Sequence, residues 1–296
     1  MLRPRTDLRK GLNTGLRAGL AVLGAFFMLG AAPEPSADGE LISIPMPDTP
    51  DILAGRVCTP RRGGPWNVVV LNHGSPPRPE LRPSMQPAGC DSEPVRWFTQ
   101  RGYLVVAALR RGFGLSTGAA VEDVGECDAP DYTKSGLAGA RDIDAILRFA
   151  LALPQARRER SVVIGQSTGG WATIAYNNAE ALPSSMFISI AGGRGAHAFA
   201  TPPTNCRPDL LVEASARFGG RVGAPMLWIS AENDSFFPVG LISDMQRAYN
   251  RAGGDARLVT VPAVGHEGHA LFYASGGSKL WGPVVERYLA QIRSAG

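Results

Sequence analysis

Histidine and cysteine are scarce in this chain of 296 residues, with four of each. The cysteines, Cys58, Cys90, Cys127 and Cys206, form no C-x-x-C pair and have no histidine cluster beside them. A zinc site is therefore not expected, and no motif calls for another metal or a cofactor. Long apolar runs are missing too. The best candidate, Ala18 to Leu29, falls short of the ~20 residues that a membrane-spanning helix needs. No internal repeat or low-complexity tract is present. The formal net charge is +4, but residues 1–32 carry Arg3, Arg5, Arg9, Lys10 and Arg17 against Asp7 alone. That accounts for the whole excess, so the rest of the chain has no basic surplus with which to bind nucleic acid.

The basic start, the short apolar stretch and the small residues Gly30-Ala31-Ala32 read as a secretory leader over 1–32. Export to the periplasm or medium is then expected, with no stable membrane insertion once the leader is removed. In an oxidising compartment the four cysteines permit two disulfides, in three connectivities. A hydrophobic content of 44% over this length supports one sizeable core.

Residues 33–51, with their Pro, Ser and Asp, read as a linker and a ragged first strand. Beyond them, apolar runs alternate with helical stretches. Trp66–Leu71, Tyr103–Ala108, Ser161–Ile164, Met186–Ile190, Met226–Ile229 and Arg257–Val261 are apolar along their length, as are strands buried on both faces of a parallel sheet. Helical stretches over Ala138–Leu153, Trp171–Ala181, Val239–Ala252 and Trp281–Ile292 lie between or after them. The alternation predicts a mostly parallel, doubly wound α/β sheet over 52–296. The long connection from Ala191 to Ala224 predicts a small cap insertion over about 192–223.

The motif G-x-S-x-G occurs twice, as Gly114-Leu115-Ser116-Thr117-Gly118 and Gly165-Gln166-Ser167-Thr168-Gly169. With 36 glycines in the chain the motif alone decides little, and context separates the two. Ser167 has a strand directly before it and a helix directly after it, a turn that lifts the hydroxyl to a helix N-terminus. Ser116 lies in a loop and reads as a turn residue. A serine hydroxyl needs a base. Of His73, His197, His266 and His269, the chain order Ser, acid, His leaves His266 and His269, both in one loop after the last strand. Asp234, in a turn past the strand Met226–Ile229, is the expected acid, and Glu232 is the alternative. For the oxyanion, the N–H of Thr168 is one expected donor. The other comes from Asn72-His73-Gly74-Ser75, through Ser75 or Gly74. His73 reads as a structural residue of that loop.

These segments resemble the α/β-hydrolase superfamily, and more closely its dienelactone-hydrolase-like exported members. The resemblance runs from about Trp66 to Leu289. It is carried by Asn72-His73-Gly74-Ser75, Arg111-Gly112-Phe113-Gly114-Leu115-Ser116, Gly165-Gln166-Ser167-Thr168-Gly169-Gly170-Trp171, Ala191-Gly192-Gly193-Arg194-Gly195, Asn233-Asp234-Ser235-Phe236-Phe237 and Gly268-His269-Ala270-Leu271-Phe272. It implies a Ser167–Asp234–His269 triad, with His269 favoured over the alternative base His266 by its G-H-x-L-F-like setting. It also implies disulfides joining Cys127 to Cys206 and Cys58 to Cys90. Dienelactone hydrolases proper use a Cys nucleophile where this chain has Ser167, so their substrate is not carried over. The expected function is a serine hydrolase acting on a small-molecule carboxylic ester. A serine peptidase cleaving short peptides is the alternative.

Overall fold

A computed structural model describes residues 38–178, 180–182, 185–195, 205–221 and 223–294. The expected leader lies outside the described residues, as do 33–37 of the expected linker and 196–204 of the expected cap, with His197.

The order of elements is β1 (Glu40–Pro45), β2 (Ile52–Cys58), β3 (Trp66–Asn72), α1 (Glu93–Thr99), β4 (Tyr103–Ala108), α2 (Tyr132–Ala152), β5 (Ala156–Gln166), α3 (Thr168–Tyr176), β6 (Ser185–Ile190), α4 (Pro208–Gly219), β7 (Met226–Ala231), α5 (Val239–Arg251), β8 (Ala256–Val261) and α6 (Ser278–Ser294). The described strands form one sheet in the order β1-β2-β4-β3-β5-β6-β7-β8. β1 and β2 are antiparallel to their neighbours, and the pairs from β4 to β8 are parallel.

The continuous apolar runs are explained by burial on both faces. Val68, Val70, Leu104, Val106 and Val163 pack beneath α2, α3, α4 and α5, against Ile143, Ile146, Trp171, Phe218 and Met245. The alternate positions Val69, Leu71, Val105, Ala107 and Ile164 face α1 and α6, against Phe98, Trp281, Val285 and Leu289. Helices on both faces make the sheet doubly wound, as the sequence predicts.

Of the boundaries that differ from the sequence reading, three have a clear physical reason. The ragged start is a six-residue edge strand, paired from Glu40 opposite Val57 to Pro45 opposite Ile52. α2 begins at Tyr132 rather than Ala138 because Asp131 caps it, accepting from the Lys134 N–H at 2.8 Å. Its first turns carry small and polar residues that break the apolar period. Within the segment expected as a cap, Pro208–Gly219 is α4, whose Leu211, Ala214 and Phe218 are buried in the main core.

Disulfides join Cys58 to Cys90 and Cys127 to Cys206, the pairing that the resemblance implies. Among the described residues no helix is long and apolar enough to cross a membrane. The bonds span 32 and 79 residues. In the chain-entropy account, loops of such lengths restrict the unfolded chain by about 4 kcal/mol each. Replacing Cys127 and Cys206 together by Ser is expected to lower unfolding free energy in urea by about 2–4 kcal/mol. A loss below about 0.5 kcal/mol would show that the bond does not constrain the chain.

Candidate active site

The sheet reverses its winding at β3, since β4 lies on one side of it and β5 on the other. Crevices at such switch points, beyond the carboxyl ends of the strands, are where ligands bind in open α/β sheets. β3 ends there in Asn72-His73-Gly74-Ser75, and β5 ends there in Gln166-Ser167.

Ser167 lies between β5 and α3 with φ 56° and ψ −122°, a conformation that side chains other than glycine rarely adopt. Its N–H donates to the Ile190 carbonyl at 3.0 Å, and its carbonyl accepts from Trp171 at 2.9 Å and Gly193 at 3.2 Å. Gly169 lets the first turn of α3 press against β3, because a Cβ there would collide with the Asn72 and His73 carbonyls. The turn is therefore fixed by its neighbours, and Ser167 is 8% exposed.

The Ser167 hydroxyl is 2.9 Å from Nε2 of His269. Nδ1 of the same ring is 3.2 Å from the Asp234 carboxylate. Asp234 is 3% exposed, and its other oxygen accepts from the Phe236 and Phe237 N–H groups at 2.9 and 3.0 Å. Phe236 stacks on the imidazole, with centroids 4.3 Å apart and planes 11° from parallel. Behind His269, Leu271 and Phe272 are fully buried, and Phe272 packs on Trp281 of α6 at 5.2 Å. This burial is the physical content of the G-H-x-L-F pattern: two apolar side chains anchor the loop that carries the histidine.

Glu267 ties the acid loop to the histidine loop. It accepts from the His269 N–H at 2.9 Å, from the Ser235 N–H at 3.1 Å and from the Ser235 hydroxyl. Burial alone would raise its pKa, but these hydrogen bonds hold the carboxyl below the usual range. The other candidates lie elsewhere. His266 and Glu232 are exposed, and neither is hydrogen-bonded to Ser167 or His269. Ser116 is buried in a turn, donating to the Leu109 carbonyl at 2.7 Å and accepting from the Ala54 N–H at 2.9 Å.

Ser75 and Thr168 meet beside Ser167, with their hydroxyls 3.2 Å apart. Neither backbone N–H has an acceptor among the described residues. His73 is committed at both nitrogens: Nε2 accepts from the Arg110 N–H at 3.0 Å, so Nδ1 carries the proton that it donates to the Gly74 carbonyl at 2.7 Å. Burial, and then the Arg110 charge, push its pKa down to about 3, so the ring is neutral. Beneath this loop a buried cluster joins Arg110, Glu122 and Arg194. Arg110 forks onto Glu122, donates to the His73 carbonyl at 2.9 Å and reaches the Thr168 hydroxyl at 3.3 Å. Arg194 donates to the Ser75 hydroxyl at 3.2 Å and to the Glu122 carbonyl, with its guanidinium 3.6 Å from the Glu122 carboxylate. Burial opposes ionisation of Glu122, but the charges of Arg110 and Arg194 outweigh it and hold its pKa low.

Glu122, Arg194 and Glu267 have no assigned role in the sequence reading. Each stands in a polar, glycine-bearing loop, where a buried charge and a solvated one look alike. The available signal was Arg194 within Gly192-Gly193-Arg194-Gly195, two glycine steps from the end of β6.

No protein-family model matches the sequence, and no curated protein is similar to it. Solved structures are similar. A Klebsiella pneumoniae protein assigned as a dienelactone hydrolase superposes over 85% of this chain and 97% of its own, with a TM-score of 0.53 and 15% identity. The Butyrivibrio proteoclasticus enzyme Est1E, solved with ferulic acid bound, covers 85% and 99%, with a TM-score of 0.54 and 15% identity. The chain has the α/β-hydrolase fold. An acylaminoacyl peptidase from Pyrococcus horikoshii also matches, at a TM-score of 0.55 and 20% identity over 78% of this chain. This chain spans 38% of that peptidase. Within the α/β-hydrolase fold, the chain's Ser167, Asp234 and His269 follow β5, β7 and β8 in turn.

Two pH effects follow. His73 is neutral in the fold down to about pH 3, whereas an unfolded histidine protonates near 6.5. The unfolded state thus binds more protons between those values, and stability falls as pH drops from about 6.5 toward 3. In urea titrations His73→Gln is expected to flatten that slope, and an unchanged slope would contradict the locked neutral ring. For Glu267 the folded pKa is depressed, so its stabilising effect is complete above the ordinary glutamate range and fades as pH falls through the lowered value. Glu267→Gln should therefore destabilise at pH 7 and converge with the native chain in acid; a pH-independent gap would refute this.

Proposed function

We propose that the chain is a serine hydrolase that cleaves small carboxylic esters through an acyl-enzyme on Ser167. The observation that carries this reading is the unbroken hydrogen-bonded chain from Asp234 through His269 to Ser167 at the winding reversal of the sheet. His269 Nε2 takes the Ser167 proton as Oγ attacks the ester carbonyl carbon, and Asp234 holds the imidazole and stabilises the imidazolium that forms. The carbonyl oxygen becomes an oxyanion facing the N–H groups of Thr168 and Ser75. Collapse of the intermediate expels the alkoxide, which leaves as alcohol with the proton from His269. Water, deprotonated by the same imidazole, then attacks the acyl-enzyme and releases the carboxylic acid.

An ester is favoured over an amide because the amine of an amide leaves less readily. Similar structures include both an esterase and a peptidase. The two disulfides support an oxidising compartment, and with it the exported location that the leader-like segment implies.

A phosphonylating probe with a serine-reactive warhead is expected to label the native chain at Ser167 and to leave Ser167→Ala unlabelled. Against a panel of acyl esters, His269→Ala and Asp234→Asn are expected to lose on the order of 10⁴-fold in kcat. His266→Ala should stay within about twofold of the native chain. Equal labelling of Ser167→Ala, or loss of turnover in His266→Ala alone, would overturn the reading. Faster turnover of amino-acid arylamides than of any ester would favour the peptidase.

A further inference from the structure

Building on the serine-hydrolase reading, we propose that Ser75 stabilises the oxyanion twice, through its backbone N–H and through its side-chain O–H. The site then holds three donors rather than two. Arg194 is the positioning residue that aims the third.

Thr168 and Ser75 bring two hydroxyls, each with one hydrogen to give and lone pairs to receive. Arg110 donates to the Thr168 oxygen at 3.3 Å, and Arg194 donates to the Ser75 oxygen at 3.2 Å. A guanidinium cannot accept in return, so neither contact uses a hydroxyl hydrogen. The contact between the two hydroxyls, at 3.2 Å, uses one of them. One hydroxyl hydrogen is left with no acceptor among the described residues.

Burial decides which one. The Thr168 residue is 7% exposed, and a free O–H there would be stranded at the cost of an unmade hydrogen bond. Ser75 is half-buried and sits on the loop that abuts the nucleophile, since a Cβ on Gly74 would lie 3.0 Å from the Ser167 Cβ. Thr168 therefore donates to Ser75, which leaves the Ser75 hydrogen for a developing oxyanion at Ser167. With Arg194 and Thr168 both donating to it, the Ser75 oxygen has its lone pairs filled and is oriented as a donor only.

The charge balance points the same way. Arg110 and Arg194 share the single carboxylate of Glu122, which leaves the buried cluster one positive charge in excess. In a water-poor site such an excess favours an anion at the nearest open position, and fixed donors there act without reorganising. Glu122 keeps the two guanidinium groups in place without cancelling both.

The test compares Ser75→Ala, which keeps the N–H, with Ser75→Thr, which restores a hydroxyl. Ser75→Ala is expected to lose about 10- to 100-fold in kcat on a fast ester with KM changed less than about threefold. Its affinity for an alkyl boronic acid, whose tetrahedral adduct on Ser167 mimics the oxyanion, should fall in parallel. Ser75→Thr should recover most of both. Arg194→Met should lower kcat, and in that background Ser75→Ala should cost clearly less than in the native chain, the mark of coupling between the two. Ser75→Ala within twofold of native in both turnover and boronate affinity would overturn the inference. A uniform loss that Ser75→Thr does not recover would assign the residue to loop structure and equally overturn it. Failure of the broader reading looks different: the native chain itself would show neither ester turnover nor boronate binding.

Discussion

The site depends on a backbone turn held where an ordinary residue resists being. Ser167 at positive φ is tolerable only because Ile190, Trp171 and Gly193 satisfy its backbone, and because Gly169 lets β3 and α3 close on either side. That strain lifts the hydroxyl off the sheet, sets Thr168 as the first residue of α3 and brings the β3 loop alongside. The same packing that makes the turn therefore also sets the Thr168 N–H and the Ser75 loop beside the Ser167 hydroxyl.

Around the turn, the polar groups divide into two rigid assemblies. On one side, Glu267, Ser235, the Phe236 stack and the buried Leu271–Phe272 anchor hold the imidazole and its carboxylate partner. On the other, Arg110, Glu122, Arg194 and the doubly committed His73 hold the β3 loop. A buried charge cluster of this kind gains little stability over apolar packing, because desolvation offsets much of the attraction. Its return here is geometric: two guanidinium forks bring two hydroxyls and a peptide edge to fixed positions.

Much of this was legible in the sequence, for identifiable reasons. Strands buried on both faces leave continuous apolar runs, and Ser167 announces itself by the strand before it and the helix after it. Choosing between His266 and His269 from the residues alone was not possible, since both share one loop. What separates them spatially is the burial of Leu271 and Phe272, which pulls one inward and leaves the other in solvent. The α2 start was hidden because its first turns bury Tyr132, Ser135 and Gly136 rather than an apolar stripe. The roles of Glu122, Arg194 and Glu267 were hidden because they arise between loops far apart in sequence, where only the fold decides which charges face each other.

The spacing of the site along the chain has a temporal meaning. Ser167 and His269 are separated by 102 residues, with Asp234 between them. A chain emerging from its amino end therefore presents the serine long before it presents the histidine. Until β8 has joined the sheet and the loop beyond it has docked against α6, the hydroxyl has no imidazole beside it. On the proposed reading, reactivity is acquired at closure of the far edge of the sheet, and the growing chain carries no activated nucleophile while its own segments are still unfolded around it.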